Sequence, residues 1–484
     1  MRSSVIRGLG GRAAVISITR LLNQGLILIS PIVLVRLLSV QDFGRYREFL
    51  LYTTVLLSFA ALGISNSLLR FIPSRPELKW RYVHHTVALT FASSVLVTGV
   101  ALLVDTALDG RAMGEFALPA AIYVLLFVNL DFWEFLWLAE KRSFAVLGYT
   151  TGRLVARLLT VITAAALSGQ VRVIVWSLVC LEATRLTISF ISWRRRVQPV
   201  TADTTGVLRE QLWYCLPFGG SMVIASLNRS IGNLFVAKTM GPVALAHYAI
   251  GTYLQPVITV LRNSVSDVLL PEMVARNRET HEDMLLLFRR TTVVIAILLI
   301  AAAVMLARFA EILVITLFSE EYRPAVGILQ IYLLVFARES LDFGVPLRAI
   351  NRTTPILRSN VLAIVINVVL VSLLLPLWGL TGAVIAFVVS RLIEGVYLGW
   401  QTMRAYEVPL SQLAPWKDLG KVVVAAGLAA AVLYGDFWTE LLGFPGVLLG
   451  AAAYVAAFAT MLLLLRVPEA SVLLQHVRSA PSLL

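Results

Sequence analysis

The sequence predicts an all-α polytopic membrane protein, and three observations predict it. Of 484 residues, 58% are hydrophobic and only 14% charged, where a soluble domain carries about 25% charged residues. Mean hydropathy is +0.83. Apolar runs of roughly 20 residues, the length a helix needs to cross the hydrocarbon, recur from end to end with short polar links between them. A β-barrel would instead alternate with period two over about 10 residues at a time, and the chain does not.

About fourteen spans can be placed, beginning near residues 13, 48, 83, 116, 144, 173, 211, 243, 290, 324, 356, 380, 418 and 443. With the N-terminus in the cytoplasm, about 25 Lys and Arg fall in inside links, about 8 in outside links and about 8 within spans, the bias that the positive-inside rule expects. The inside links include 70–81, 141–142, 194–196, 276–290 and 348–358, whereas the outside links 105–115 and 436–440 lean acidic. An even count leaves both termini cytoplasmic. The same bias accounts for the net charge of +13 without nucleic acid, because no basic stripe with interleaved aromatics stands outside the spans. The first apolar run is too long for the core of a signal peptide and lacks its small-residue exit, so no cleaved leader is expected.

Offsetting the chain by 202 residues lays RLLSVQDFGRY (36–46) over KTMGPVALAHY (238–248), and FIP (71–73) over LLP (269–271). Six spans separate the partners, so both copies share one orientation. That arrangement predicts two parallel six-helix lobes about an axis along the membrane normal, with a central cavity between them. The expected divisions are an N-terminal lobe at 1–197, a cytoplasmic linker at 198–210, a C-terminal lobe at 211–404, a two-helix appendage at 405–466 and a cytoplasmic tail at 467–484.

Charges inside spans are costly and face a bundle interior or a wet cavity. Those with a partner at i+3 or i+4, namely Glu182/Arg185, Arg338/Asp342 and Arg391/Glu394, are expected to neutralise each other. Asp131 and Glu134 are expected to neutralise Arg153 and Arg157 on the next span, with proton binding as the alternative role for these acids. Arg20, Arg229 and Arg262 differ. None has an acid within a turn on its own span, and Asp267 lies off the face of Arg262. Amides accompany them instead: Asn23 and Gln24, Asn228 and Asn233, Gln255 and Asn263. Guanidinium groups beside amides suit a polyanion or sugars, which accept many hydrogen bonds. A salt bridge to another helix is the competing reading. Prolines inside spans, at 31, 217, 256 and 346, bend their helices, as happens in rocking transporters and static bundles alike.

The chain lacks the patterns of several chemistries. Cys180 and Cys215 form neither a disulfide framework nor a metal site, and His84–His85 has no companion at ligand spacing. GLGG (8–11) follows no strand, and no phosphate-binding loop is present, so neither a dinucleotide nor ATP is expected. The short outside links leave no room for a polymerase or ligase site. No cofactor and no enzymatic activity are expected.

RLLSVQDFGRYREFLLY (36–52) and LGISNSLLRFIP (62–73) resemble the opening of the polysaccharide-transport flippases of the multidrug/oligosaccharidyl-lipid/polysaccharide exporter superfamily, which include the Wzx-type O-antigen flippases. LFSEEYRPAVGILQIY (317–332) and LLPLWGLTGAVIAFVVSRLIEG (374–395) resemble its second-lobe signatures, and the resemblance spans roughly residues 12 to 465. It implies a bacterial inner-membrane protein that moves an undecaprenyl-diphosphate-linked oligosaccharide, an O-antigen, exopolysaccharide or capsule repeat unit, to the periplasmic leaflet. It implies membrane lipids, a glycan polymerase and a chain-length regulator as partners. Related lipid II flippases meet the diphosphate with arginines on the first, second and eighth helices; Arg20 and Arg262 match the first and eighth. Span two departs from that pattern, its only arginine being the terminal Arg70, so Arg229 is the expected substitute. Asn23, Gln24, Asn66, Asn228, Asn233, Gln255 and Asn263 are the expected sugar or headgroup contacts. Asp131, Glu134, Arg153, Arg157, Asp267, Arg338, Asp342, Arg391 and Glu394 are expected to form ion pairs or to couple H⁺ or Na⁺. Two alternatives stand: a multidrug or cation exporter of the same superfamily driven by H⁺ or Na⁺, and a scaffold of a glycan-synthesis complex without transport of its own.

Overall fold

A computed structural model describes residues 22–196, 206–254, 269, 273, 281–350, 352–433 and 443–469 of the protein. Every regular element among them is helical. Among the described residues seven helices are long and apolar enough to span a bilayer, or eight if the bent pair Val40–Ala61 and Ser65–Ser74 counts as one. Part of the distance to the expected fourteen lies in two long helices that are each broken by a glycine.

Thr354–Tyr406 runs 53 residues. Straight, it would reach about 80 Å at 1.5 Å per residue, well over the roughly 30 Å of hydrocarbon. Gly379 breaks it with φ 58° and ψ −138°. A Cβ on Gly382 would lie 2.0 Å from the carbonyl oxygen of Leu374, eight positions back and about 12 Å away on a continuous helix. The chain therefore reverses, and the segment is a helical hairpin. Val207–Gly251 breaks likewise at Gly241, with φ 81° and ψ −173°, just before Pro242. At the offset of 202 the partner of Gly241 is Ser39, which starts the helix Val40–Ala61 by accepting the Asp42 amide at 3.1 Å. The two copies of the echo thus break the chain at matching positions.

Two compact units result, Met1–Ala246 and His247–Leu484. In the first, α1 (Leu22–Leu34) precedes α2 (Val40–Ala61), α3 (Leu68–Ser74) and α4 (Lys79–Ala107). They are followed by α5 (Ala117–Val128), α6 (Phe132–Ala139), α7 (Ser143–Ser168), α8 (Val171–Arg196) and α9 (Val207–Gly251), whose last residues, from His247, belong to the second unit. Leu62 and Gly63 adopt left-handed conformations after α2, and α3 leaves at 49° to it. Helices α2, α4, α5 and α8 pack on one another, and α6 joins α3 to α7.

Lipid tails are as apolar as leucine, so helices in a membrane are held by close packing and by polar ties rather than by the hydrophobic effect. Buried Asn129 accepts from Thr90 at 3.0 Å and donates to Ser94 at 3.3 Å, tying α5 to α4. Gln211 on α9 donates to Ser67 and Thr86, each at 2.8 Å. Further along α9, Ser58 donates to Ser226 at 2.5 Å, and Lys238 caps the carbonyl of Arg111 at 3.2 Å. In the second unit one apolar core joins His281–Arg308, Trp416–Ala429 and Gly443–Leu464. There the Tyr406 hydroxyl donates to the Pro346 carbonyl at 2.9 Å.

The hairpin yields a direct test. Gly382→Val should cost about 1–3 kcal/mol through overpacking against backbone that cannot yield. Thermal unfolding in detergent should show a lowered Tm. Gly420→Ala, in a helix where a Cβ meets nothing within 4 Å, should leave Tm unchanged or raise it.

Candidate substrate-binding site

Helix α7 carries Arg153 and Arg157 one turn apart, on the same face. Arg153 holds both expected acids: its Nη1 lies 3.1 Å from Asp131 and its Nη2 3.5 Å from Glu134. Its guanidinium also stands 5.4 Å from the Phe127 ring centre. Arg185 on α8 pairs with Glu182 one turn earlier and donates to the Tyr149 hydroxyl at 2.9 Å, which in turn donates to the Leu130 carbonyl at 3.0 Å.

Arg157 does not share those acids, contrary to expectation. Among the described residues no carboxylate forms an ion pair with it; the Tyr46 side chain is its hydrogen-bonding neighbour, and the Tyr123 ring centre lies 5.9 Å away. The reason is distance along the helix. Arg157 stands about 6 Å further on, out of reach once both acids close on Arg153.

The two arginines open into two cavities. One, of about 250 Å³, lies between α1, α2 and α7 and is lined by Ser30, Pro31, Tyr46, Arg47 and Arg157. The other, of about 390 Å³, lies between α6, α7 and α8 beside Arg153 and Arg185. Helix α1 is fixed against α7 where Thr151 donates to Asn23 at 3.3 Å. Arg47 in the first cavity was missed in the sequence, where RYREF (45–49) reads as the basic flank of a span.

The remaining expected residues distribute unevenly. Arg20, Gln255, Arg262, Asn263 and Asp267 lie outside the described residues. Arg229 is exposed on α9, and Asn233 is half-buried one turn further. Asn66 turns its amide to the Met222 sulfur at 3.4 Å. The Gln24 Nε2 and Asn228 Oδ1 atoms are buried without a hydrogen-bond partner among the described residues.

In the second unit Arg338, Glu339, Arg391 and Glu394 form a buried, charge-balanced quartet. Arg391 binds Glu339 at 2.6 Å and also Glu394, while Arg338 lies 3.6 Å from Glu394 and 3.9 Å from Glu339. Arg391/Glu394 pairs as the spacing predicts. Arg338/Asp342 does not: the helix Leu334–Glu339 ends before Asp342, so i+4 no longer shares a face. Asp342 instead lies 3.7 Å from Arg348 and accepts the Gly344 amide at 3.1 Å.

The fold of this all-helical membrane chain, with its buried ion pairs and guanidinium-lined cavities, is that of known transporters. The chain is similar to the lipid II flippase MurJ in an inward closed conformation, with a TM-score of 0.70 at 13% identity over 92% of this chain and 98% of that one. It is also similar to an inward-facing multidrug resistance MATE family transporter of the MOP superfamily, with a TM-score of 0.53 at 18% identity over 82% and 98%. A variant of the Vibrio cholerae MATE transporter VcmN gives a TM-score of 0.55 at 14% identity over 84% and 97%. No curated protein matches in sequence. Residues 33–327 match the family model described as polysaccharide biosynthesis protein, and the chain belongs to that family.

The quartet has a measurable consequence. Glu394→Ala leaves two buried guanidinium groups facing one carboxylate, and loss of one member of a buried pair costs about 3–5 kcal/mol. Chemical denaturation in detergent should show a drop of that order.

Proposed function

We propose that the protein flips an undecaprenyl-diphosphate-linked oligosaccharide, an O-antigen, exopolysaccharide or capsule repeat unit, from the cytoplasmic to the periplasmic leaflet of a bacterial inner membrane by alternating access. Both termini are cytoplasmic in this reading, and a glycan polymerase and chain-length regulator receive the product. The observation that carries it is Arg157, a guanidinium within a span that lines a cavity and has no acid of its own among the described residues. A diphosphate in hydrocarbon loses its water without replacement. A guanidinium fork restores two directed, charge-assisted hydrogen bonds to it.

Arg157 joins Arg20, Arg229 and Arg262 as proposed diphosphate contacts. Asn23, Gln24, Asn66, Asn228, Asn233, Gln255 and Asn263 are the proposed contacts for sugars or headgroup, and the buried amide atoms of Gln24 and Asn228 that lack a partner support this role. Moving negative charge outward runs with an inside-negative potential, at about 2.3 kcal/mol per charge per 100 mV. The step therefore needs no ATP, and H⁺ or Na⁺ coupling would add to it. A cation exporter has less support, because each acid beside α7 already contacts a guanidinium: Asp131 and Glu134 share Arg153, and Glu182 pairs with Arg185.

Loss of a charge-assisted hydrogen bond costs about 1.5–3 kcal/mol, so Arg157→Ala should cut surface glycan in the native host by roughly tenfold or more. Protein level in the membrane should hold, and Arg157→Lys should fall between. Undiminished export by Arg157→Ala, and by a second variant with Arg20, Arg229 and Arg262 changed to Ala, would mean a scaffold and reject the anion path.

A further inference from the structure

The cavity between α6, α7 and α8 has features that the ion pairs of Arg153 and Arg185 do not explain. Its wall carries three aromatic rings in series: Trp133 and Trp137 with centres 5.4 Å apart, and Tyr149 set edge-on to Trp137 at 5.2 Å. Ser189 and Ser192 bring hydroxyls to the same space. On α7 its lining includes Gly148 and Gly152, one turn apart, and a Cβ at either would meet nothing within 4 Å. Any larger residue there would project into the cavity. These glycines keep it open, for neither has a φ that only glycine accepts.

Charge decides what the cavity takes. Two guanidinium groups, Arg153 and Arg185, face three carboxylates, Asp131, Glu134 and Glu182. No positive charge is left over for a phosphate or an acidic sugar. Each guanidinium still has donors to spare, since arginine carries five N–H groups. Flat apolar faces beside spare donors and hydroxyls fit a ring with C–H faces and a hydroxyl rim. The volume of about 390 Å³ lies within the roughly 300–1,000 Å³ of small-molecule sites.

We infer that this cavity is a binding subsite for an uncharged sugar ring of the cargo, one turn of α7 away from the guanidinium of Arg157. The inference rests on the glycolipid reading above, and the two fail separately. Arg153 and Arg185 act here as neutralised donors, while Arg157 supplies the charge.

The test uses the full chain in lipid nanodiscs and equilibrium dialysis. The probes are radiolabelled methyl glucoside, methyl galactoside, methyl N-acetylglucosaminide, methyl glucuronide and inorganic pyrophosphate. At least one neutral glycoside should bind saturably, and the glucuronide at least tenfold more weakly. Gly152→Leu should weaken glycoside binding at least tenfold and leave pyrophosphate binding unchanged. Trp137→Leu carries the same expectation should Gly152→Leu not fold. Arg157→Ala should do the reverse, losing pyrophosphate and keeping the glycoside. No saturable binding of any neutral glycoside, equal binding of the glucuronide, or unaltered binding in a folded Gly152→Leu protein would overturn the subsite. So would quenching of the cavity tryptophans by brominated acyl chains that the glycosides do not relieve, which would give the cavity to lipid. Glycoside binding without any pyrophosphate binding in the unaltered protein would overturn the diphosphate site instead and leave the subsite standing.

Discussion

A guanidinium group inside a membrane span must be met by something that replaces water, and that constraint organises this protein. The second unit answers it within the chain. Two arginines and two glutamates close on one another, and the Arg338 Nε adds a hydrogen bond to the Arg391 carbonyl at 3.2 Å. The first unit answers it only in part. Arg153 and Arg185 are neutralised, whereas Arg157 has aromatic rings and a cavity for company. Balanced charges hold helices together, and an unbalanced one invites an anion.

The backbone answers the same constraint in its own way. Every amide and carbonyl in hydrocarbon needs a partner, and the described spans are accordingly helical. Two of the breaks fall at glycines: Gly379 turns the Thr354–Tyr406 segment into a hairpin, and Gly241 breaks α9. Gly148 and Gly152 serve a different end, keeping volume free next to charged and aromatic side chains. Glycine thus has two roles here, one set by dihedral angle and the other by space.

Much of the architecture was legible in the sequence because it depends on periodic, local signals. Long apolar runs dictate helices. The repeat at 202 residues aligned the two segments in which the structure breaks the chain, at Ser39 and at Gly241, and the spacing of Arg391 and Glu394 marked a pair that forms. Pairing by spacing fails where the helix ends, as it does for Arg338 and Asp342. The candidate site was less legible. Arg153 and Arg157 look equivalent in sequence, and Arg47 looks like a flanking charge.

By itself, then, the sequence determined the membrane class, the helical fold, the family resemblance and the presence of charges that need an explanation. Those follow from composition and from contacts within a turn or two of one helix. Which arginine keeps its acids, and which cavity each one faces, only the tertiary structure decided. The physical reason is that Asp131 and Glu134 reach α7 across a helix–helix contact. Whether a carboxylate comes level with residue 153 or with residue 157 depends on the packing of α6 on α7, a distance no spacing along one chain encodes.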